Sequence, residues 1–135
     1  MCDSALNKNE VSLKKKFYQE FLNNFEGIIL ITDLSGKIID ISKKTLQLLS
    51  VHNKKNIVGE KVFQFISARD SEDFQKCFNK IKKKELNREH RFHFYKNKNT
   101  LLNGNVNFSY IKDKSGQLEY IIMMVTDLCE KKSKE

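Results

Sequence analysis

Two short segments that are apolar on both faces limit the folds available to this chain. They are "IILIT" at residues 28–32 and "YIIMMV" at residues 120–125. Each is too short for an independent helix and rich in aliphatic residues, which favours a β-strand. Because a strand that is apolar on both faces needs cover on both sides, both segments are predicted to lie at the centre of a sheet.

An Asp-x-Ser-Gly sequence directly follows the first segment, at residues 33–36, and another lies three residues before the second segment, at residues 113–116. In such a sequence the Asp side chain can accept hydrogen bonds within the turn, and Gly permits backbone angles that other residues avoid. Each sequence is therefore predicted to close a β-hairpin. The first hairpin returns through "KIIDIS", and the second is entered from "LLNGNVNFSYI".

Helical spacing marks the residues before and after the first hairpin. From Glu10, large apolar residues recur every four positions as far as Phe25, which predicts an amphipathic helix that ends at Gly27. Ser42 is predicted to be the N-cap of a short helix, since Ser commonly binds the free N–H groups of the first turn. Short helical turns are expected around Gly59.

The second half of the chain predicts one longer helix and then strands. Residues 70–84 place apolar side chains on one helical face, whereas residues 90–95 and 101–111 alternate with the period of two that is typical of a strand. Strands that are separated by helices in this order favour an α+β domain with an antiparallel sheet. At 135 residues, the chain is long enough for one such domain.

The net charge of +8 makes an anionic partner conceivable. The two longest lysine clusters, at residues 14–16 and 82–84, both fall in predicted helices, where a solvated helix face is the simpler interpretation. No helix-turn-helix or zinc-finger pattern accompanies them. Nucleic-acid binding is therefore the weaker alternative.

Cysteine number and hydropathy indicate the cellular compartment. Cys2, Cys77 and Cys129 are odd in number and far apart, which suits a reducing compartment and supports neither a disulfide framework nor a zinc site. No apolar run approaches the roughly 20 residues that span a bilayer, and residues 1–10 lack a hydrophobic signal region. We expect a soluble, cytoplasmic protein that makes no membrane contact.

Several motifs taken in order resemble those of PAS domains, the sensory modules common in histidine kinases. "GIILITDLSGKIIDIS" is similar to the first hairpin of that family, and "NIVGEKVFQFISARDSEDF" to its Ile-Gly segment and the acidic start of the following helix. "YIKDKSGQLEYIIMMVTDLCEKK" resembles the last hairpin and the Asp-Ile-Thr-Glu-Arg exit motif. The resemblance covers about residues 21–132.

The resemblance implies a five-stranded antiparallel sheet with short helices on one face and an additional N-terminal helix. It divides the chain into a tail and cap helix at residues 1–25, a PAS domain at 26–128 and the start of a linker at 129–135. The implied function is sensory signal transduction and dimerisation within a sensor histidine kinase or related two-component protein. The signal would leave through Asp127 and Glu130 towards an output domain in the same full-length protein.

Departures from the family pattern bear on cofactors. Ser42-Lys43 stands where many members have Asn-Pro, and Cys129 replaces the Thr of the exit motif. Light-oxygen-voltage relatives carry a reactive Cys in the mid-domain helices, but residues 42–70 contain none. Haem-binding relatives carry a His on the long helix, and residues 70–84 contain none. No cofactor is evident, and none is assigned.

Catalytic patterns are missing from the sequence. It has no glycine-rich phosphate loop, no metal-ligand spacing and no plausible Ser/His/Asp or Cys/His set. Glu72 and Asp73 are adjacent, so on a helix they diverge, and they favour the helix N-terminus instead. We expect that the chain is not an enzyme, binds no metal, and leaves any kinase activity to another domain.

The resemblance places a candidate pocket between the sheet and the helices. Its aromatic side chains either fill the core or surround a small apolar ligand, as in a stand-alone ligand-binding protein. Within it, His90 is either a core or rim residue or a ligand-binding group, and Cys77 is either a small buried hydrophobe or a redox group. The candidate pocket residues are Leu46, Leu49, Phe63, Ile66, Phe74, Cys77, Phe78, His90, Phe92, Phe94, Gly104, Val106 and Phe108.

The amphipathic N-terminal helix is a candidate dimer interface. In PAS domains such helices commonly pack on the sheet and build a homodimer, and the alternative is a lid over the outer sheet face of a monomer. The candidate interface residues are Leu13, Phe17, Tyr18, Phe21, Leu22 and Phe25.

Overall fold

The computed structural model describes residues 8–85 and 90–132, so Cys2 and the predicted linker residues 133–135 lie outside the described residues. The helices are α1 (Lys8–Asn24), α2 (Lys43–Leu48) and α3 (Ser71–Lys82), and three 3-10 turns occupy Lys54–Asn56, Val62–Phe65 and Ala68–Asp70. The strands are β1 (Ile28–Thr32), β2 (Ile38–Ile41), β3 (His90–Tyr95), β4 (Thr100–Lys112) and β5 (Leu118–Lys132).

The strands form one antiparallel sheet in the order β2-β1-β5-β4-β3. β1 and β5 lie side by side, with Ile28 opposite Val125 and Thr32 opposite Ile121. The prediction that the two doubly apolar segments are central strands is therefore confirmed, as is the α+β class. All residues of β1 are buried, which explains its apolar composition.

Both predicted Asp-x-Ser-Gly turns close hairpins, and they use the same hydrogen bonds. The Asp33 Oδ1 atom accepts from the backbone N–H groups of Ser35 at 2.9 Å and Lys37 at 3.0 Å, and from the Ser35 hydroxyl at 2.7 Å. The second turn repeats this arrangement around the Asp113 Oδ1 atom at 2.8, 3.1 and 2.7 Å. Gly36 and Gly116 adopt φ angles of +91° and +88°, which favour glycine.

The same hydrogen bonds set the acidity of the two turn carboxyls. Partial burial raises the pKa of the Asp33 carboxyl, but the hydrogen bonds from Ser35 and Lys37 outweigh that effect and lower the pKa below its ordinary value. At Asp113 the Ser115 hydroxyl is the main cause of a lowered pKa. Both carboxylates therefore favour the folded turn in their ionised form.

The helices and 3-10 turns between β2 and β3 cover one face of the sheet, and the main core lies between these two layers. Ile121, Met123 and Val125 of β5 face this core and are fully buried, as are Phe74 of α3 and Ile57. This face is called the inner face below, and the opposite face the outer face.

Ser42 occupies the predicted N-cap position of α2, but its side chain makes no capping hydrogen bond to the helix, so only the expected side-chain contact was wrong. Its buried hydroxyl donates to the Gly27 carbonyl at 3.0 Å and accepts from the Ile29 N–H at 3.0 Å. The Thr45 hydroxyl lies 2.8 Å from it. The Ser42 hydroxyl thus connects the start of α2 to β1 and the residue before it, because these backbone groups lie within hydrogen-bond distance of the same oxygen.

The free edge of β3 is covered by the chain that leads into α3. Ile66 forms an antiparallel bridge to Phe94, and the Ser67 N–H donates to the His93 carbonyl at 2.8 Å. The Asp70 carboxylate accepts from the His93 backbone N–H at 2.6 Å. These contacts use edge groups that would otherwise be open to pairing with another strand.

Candidate functional site

The apolar members of the candidate pocket all lie in the main core. Phe74 is its centre, with ring centroids 5.2 Å from Phe92, 5.7 Å from Phe108 and 5.9 Å from Phe63. The Phe63 ring lies 5.1 Å from that of Phe78. Most of these ring pairs are close to perpendicular, which is a favourable packing arrangement for aromatic side chains.

These ring contacts occupy the space that the candidate pocket would provide. Phe74 and Phe94 are fully buried, while Leu46, Phe63 and Phe108 are half-buried at the borders of the core. Any ligand at the centre would have to displace Phe74 from its ring contacts. The pocket therefore stays a prediction, and the packed side chains show what a ligand would have to replace.

His90 lies outside the core, although it is on the strand face that carries Phe92. It is exposed and stacks beside the Phe92 ring at 5.9 Å. It lines a surface cleft of about 330 Å³ between α3 and β3, together with Asp70, Asp73, Lys76, Cys77, Lys80, Arg91 and Phe92.

Cys77 lies at the inner wall of that cleft and is 7% exposed. Burial raises the pKa of the Cys77 thiol, with a smaller opposing effect from Lys80. A raised pKa keeps the thiol protonated and weakly nucleophilic at neutral pH. This environment agrees with the prediction of a small buried hydrophobe.

Gly104 allows β4 to lie close to β5 at an irregularity in the sheet. A Cβ atom at this position would lie 2.4 Å from the Val125 Cγ1 atom and 2.7 Å from the Leu128 Cδ2 atom. The register between β4 and β5 shifts between Asn103 and Asn105, beside this contact. The space left by this glycine is thus occupied by side chains of the neighbouring strand.

Apart from Tyr18, the candidate dimer residues divide into two that contact the outer face and three that form an exposed stripe. Leu22 is 2% exposed and packs with Phe25 against Ile29 and Ile31 on the outer face. Leu13, Phe17 and Phe21, called the α1 stripe below, are 52%, 65% and 53% exposed. The alternative of a lid over the outer face does not account for the α1 stripe, because these three side chains stay exposed while Leu22 and Phe25 contact the sheet.

Tyr18 fixes α1 against β2. Its hydroxyl donates to the Asp40 carboxylate, which also pairs with the Lys54 ammonium. Burial and the hydrogen bond to Asp40 raise the pKa of Tyr18, so the phenol stays protonated. Burial raises the pKa of Asp40, but Lys54 and Tyr18 outweigh this effect and lower it overall. The α1 stripe is consequently held in a defined orientation on the domain.

The predicted signal exit lies within a strand, since β5 continues through Lys132. Asp127 adopts a φ of +52°, an unusual value for a residue other than glycine, at the irregularity beside Gly104. The Arg91 guanidinium donates to the Asp127 Oδ2 atom at 2.8 Å and to its carbonyl at 2.8 Å. Glu130 pairs with the Lys96 ammonium. Both exit residues are therefore attached to β3 or the turn that follows it.

Sequence reasoning missed a polar network on the outer face that reaches this exit. The Arg91 Nε–H donates to the Asn103 Oδ1 atom at 2.6 Å, and the Asn103 Nδ2 atom lies 3.2 Å from the His93 Nε2 atom. The His93 Nδ1 atom lies 2.9 Å from the Asp70 Oδ2 atom. We call Asp70, His93, Asn103, Arg91 and Asp127 the outer network. Strand alternation places Arg91 and His93 on one face of β3 and Asn103 on one face of β4. Only the register between the two strands shows that these side chains contact one another.

The described residues contain no group of three or more His, Cys, Asp or Glu side chains that could hold a metal ion. Within the same part of the chain, no helix is long and apolar enough to cross a membrane.

Comparison with known proteins gives the family. A family model described as PAS domain matches residues 26–130. The chain belongs to the PAS domain family. A search of curated proteins finds no match.

Solved PAS domains share this fold. The PAS domain of an HTR-like protein from Haloarcula marismortui is 12% identical, with a TM-score of 0.71, over 88% of this chain and 95% of that chain. The PAS domain of a protein from Colwellia psychrerythraea is 17% identical, with a TM-score of 0.72, over 86% of this chain and 96% of that chain. At these identities the comparison shows the PAS fold, and the fold prediction is confirmed.

Two residues that depart from the PAS sequence pattern make specific contacts in this domain. Ser42, where many PAS domains have Asn, binds β1 through its hydroxyl, as described above. Cys129, in the exit motif, lies with its Sγ atom 4.0 Å from the Asn103 Oδ1 atom. The segment that resembles the exit motif therefore borders the outer network through Cys129, the residue that departs from the motif.

Proposed function

We propose that this PAS domain is a signal-transducing and dimerisation module of a larger cytoplasmic signalling protein, such as a sensor histidine kinase. The observation that carries the proposal is the α1 stripe. Three large apolar side chains on successive helical turns are each more than half exposed. Clustered exposed apolar groups of this kind are typical of interaction sites.

A second copy of this chain is the partner that we propose for the α1 stripe. Leu13, Phe17 and Phe21 are spaced by four residues and therefore form one ridge along the helix. Two such ridges can pack into each other across a two-fold axis, in which both copies use the same surface. The attachment of Tyr18 to Asp40 supports this arrangement, because it keeps the ridge in one position on each copy.

The output would leave through β5. This strand joins the buried core at Met123 to the exposed end at Lys132, and Arg91 holds it at Asp127. A change in the dimer or in the core would then alter the path of the segment that follows β5. Kinase activity would belong to that output domain, and this chain would supply the conformational signal.

The dimer is tested by sedimentation velocity or light scattering over a range of concentrations. We expect the wild-type 15.9 kDa chain to form a dimer and Phe17→Glu to shift it to a monomer. Gln19→Glu is the matched control, because it adds the same charge two residues away and thus on the opposite side of α1. A wild-type chain that stays monomeric at the highest concentration would refute the proposal.

The signalling role is tested in a fusion of this chain to a histidine-kinase output region that requires dimerisation. Autophosphorylation should fall in the Phe17→Glu fusion and remain near the wild-type rate in the Gln19→Glu fusion. Equal rates in both fusions would show that the α1 stripe does not control the output.

A further inference from the structure

The outer network has a fixed direction of hydrogen bonding. Arginine has donors only, so the Asn103 atom that faces the Arg91 Nε–H must be the carbonyl oxygen. The Asn103 amide nitrogen must then face the His93 Nε2 atom, and its N–H donates to that nitrogen. A nitrogen that accepts a hydrogen bond carries no proton, so the proton of a neutral His93 lies on Nδ1 and points to Asp70.

Protonation of His93 conflicts with this direction. A charged imidazole has N–H groups on both nitrogens, so its Nε2–H would face the N–H of Asn103. Rotating the Asn103 amide by half a turn would resolve that conflict but would present its NH₂ group to the Arg91 Nε–H. Either way one junction of the network must open, since Asn103 can satisfy only one of two donors.

The surroundings of His93 decide which junction opens. The titratable and charged groups in contact with the ring or its network are Asp70 before α3, Arg91 on β3, and Asp127 and Cys129 on β5. Tyr95, two residues along β3, accepts from the Ala68 N–H through its hydroxyl. The Asp70 carboxylate attracts a charged ring and also accepts from the His93 backbone N–H, which keeps the ring in place. The ring is 13% exposed, so water has little access to replace the lost partner. We therefore expect the hydrogen bond between Asn103 and Arg91 to be the one that breaks.

We propose that the outer network is a proton-sensitive switch in which protonation of His93 weakens the attachment of Arg91 to Asn103 and frees the Asp127 irregularity of β5. Arg91 is the connecting group, because its guanidinium contacts Asn103 through Nε and Asp127 through the two terminal nitrogens. Asp127 keeps a left-handed backbone angle that such contacts stabilise. The use of this switch in signalling rests on the proposed exit through β5, but the proton dependence of β5 does not.

The experiment uses a chain in which His93 is the only histidine. The sequence contains three histidines, and the other two, His52 and His90, are exposed, so His52→Gln with His90→Gln isolates the ring of interest. NMR spectra of the ¹⁵N-labelled protein are recorded between about pH 5 and 8, the range in which histidine charges typically change. The ring nitrogens report the tautomer, and the backbone amides of residues 126–129 report β5.

At the high end of this range we expect the Nδ1–H tautomer of His93. As the ring gains a proton, the Asp127 and Leu128 amide signals should shift with the same midpoint. Their protection against hydrogen exchange, measured relative to the intrinsic exchange rate at each pH, should fall. The same titration in the Phe17→Glu background separates the two proposals. An unchanged response in that monomer would support a switch that is built into one chain, whatever the outcome for the dimer.

Two further variants make the result decisive. His93→Gln, checked for folding by circular dichroism, should abolish the pH response of the β5 amides. Arg91→Lys keeps the positive charge but loses the Nε contact, so His93 should still titrate while Asp127 no longer follows it. The proposal is overturned if β5 responds equally in His93→Gln, or if it stays unchanged while His93 titrates in the parent chain.

Discussion

The two Asp-x-Ser-Gly turns provide an internal comparison of backbone strain and side-chain crowding. Gly36 and Gly116 have nearly the same φ angle, +91° and +88°. Each lies in a turn whose Asp side chain accepts the same set of hydrogen bonds. A Cβ atom at Gly36 would lie 2.4 Å from the Phe63 ring, whereas one at Gly116 would meet nothing within 4 Å. Both Gly→Ala substitutions therefore have a similar cost in backbone conformation, but only the substitution at Gly36 also creates a steric clash.

The expected magnitudes follow from these contacts. An alanine with a left-handed backbone angle lowers the stability of the folded state by about 1–2 kcal/mol. Alanine also has less backbone freedom than glycine in the unfolded chain, which offsets about 0.4–1 kcal/mol of this loss. Gly116→Ala should therefore lower the free energy of unfolding by about 1 kcal/mol. Gly36→Ala must also move the Phe63 ring, which packs against Phe74 and Phe78 at 5.9 and 5.1 Å. Overpacking of this kind costs about 1–3 kcal/mol more.

Urea unfolding followed by circular dichroism measures both variants. With a typical slope of about 1–3 kcal/mol per molar urea, the midpoint of Gly36→Ala should lie roughly 1 M below that of Gly116→Ala. In a Phe63→Ala background the difference between the two substitutions should nearly vanish, because the crowding partner is gone. Equal destabilisation in the wild-type background would refute the steric argument, and an unchanged difference without Phe63 would identify a different cause.

Further predictions concern the core, the α2 junction and acid stability. Phe74→Ala should lower the free energy of unfolding by about 3–5 kcal/mol and create a site for small aromatic molecules, detectable by ligand-induced shifts in NMR spectra. Ser42→Ala should cost about 1–3 kcal/mol in denaturant unfolding, because the buried Ile29 N–H loses its side-chain acceptor. Since the pKa of Asp33 is lowered on folding, its stabilisation is present at neutral pH and is lost as the pH falls through about 4 and below. Asp33→Asn should therefore flatten the acid branch of the stability curve, and an unchanged branch would contradict this assignment.

The sheet could be predicted because its signals are local. The doubly apolar segments and the turn residues between strands depend only on neighbours in sequence, so both hairpins and the central position of β1 and β5 could be predicted. Ser42 shows the limit of such reasoning. Its position before a helix predicts a cap, but the Gly27 carbonyl and the Ile29 N–H compete for the same hydroxyl and are supplied by another part of the chain.

The candidate site could be predicted only in part, for the same physical reason. The spacing of Phe74 and Phe78 shows which face of α3 is buried, but the ring-to-ring distances decide whether a space remains between them. The exposure of Phe17 also depends on how α1 leaves the sheet, which the Tyr18–Asp40 contact fixes. The outer network joins residues from three strands and the start of α3, so it depends on register.

The arrangement of the outer face places α1 and the outer network, the sites of the two proposed signals, on the same strand, β5. The apolar half of this face contains Ile29 and Met124 and is covered by Leu22 at the end of α1. Its polar half contains the outer network, where Asn105 pairs with Thr126 and Asn103 with Cys129. β5 crosses from the first half to the second, and the Asp127 irregularity lies at the crossing. In the proposed scheme, a change at α1 would reach β5 before this point, whereas a proton on His93 would act at it. If both proposals hold, the two changes act on the same strand, so their effects on a proposed output domain should combine through β5 without direct contact between α1 and His93.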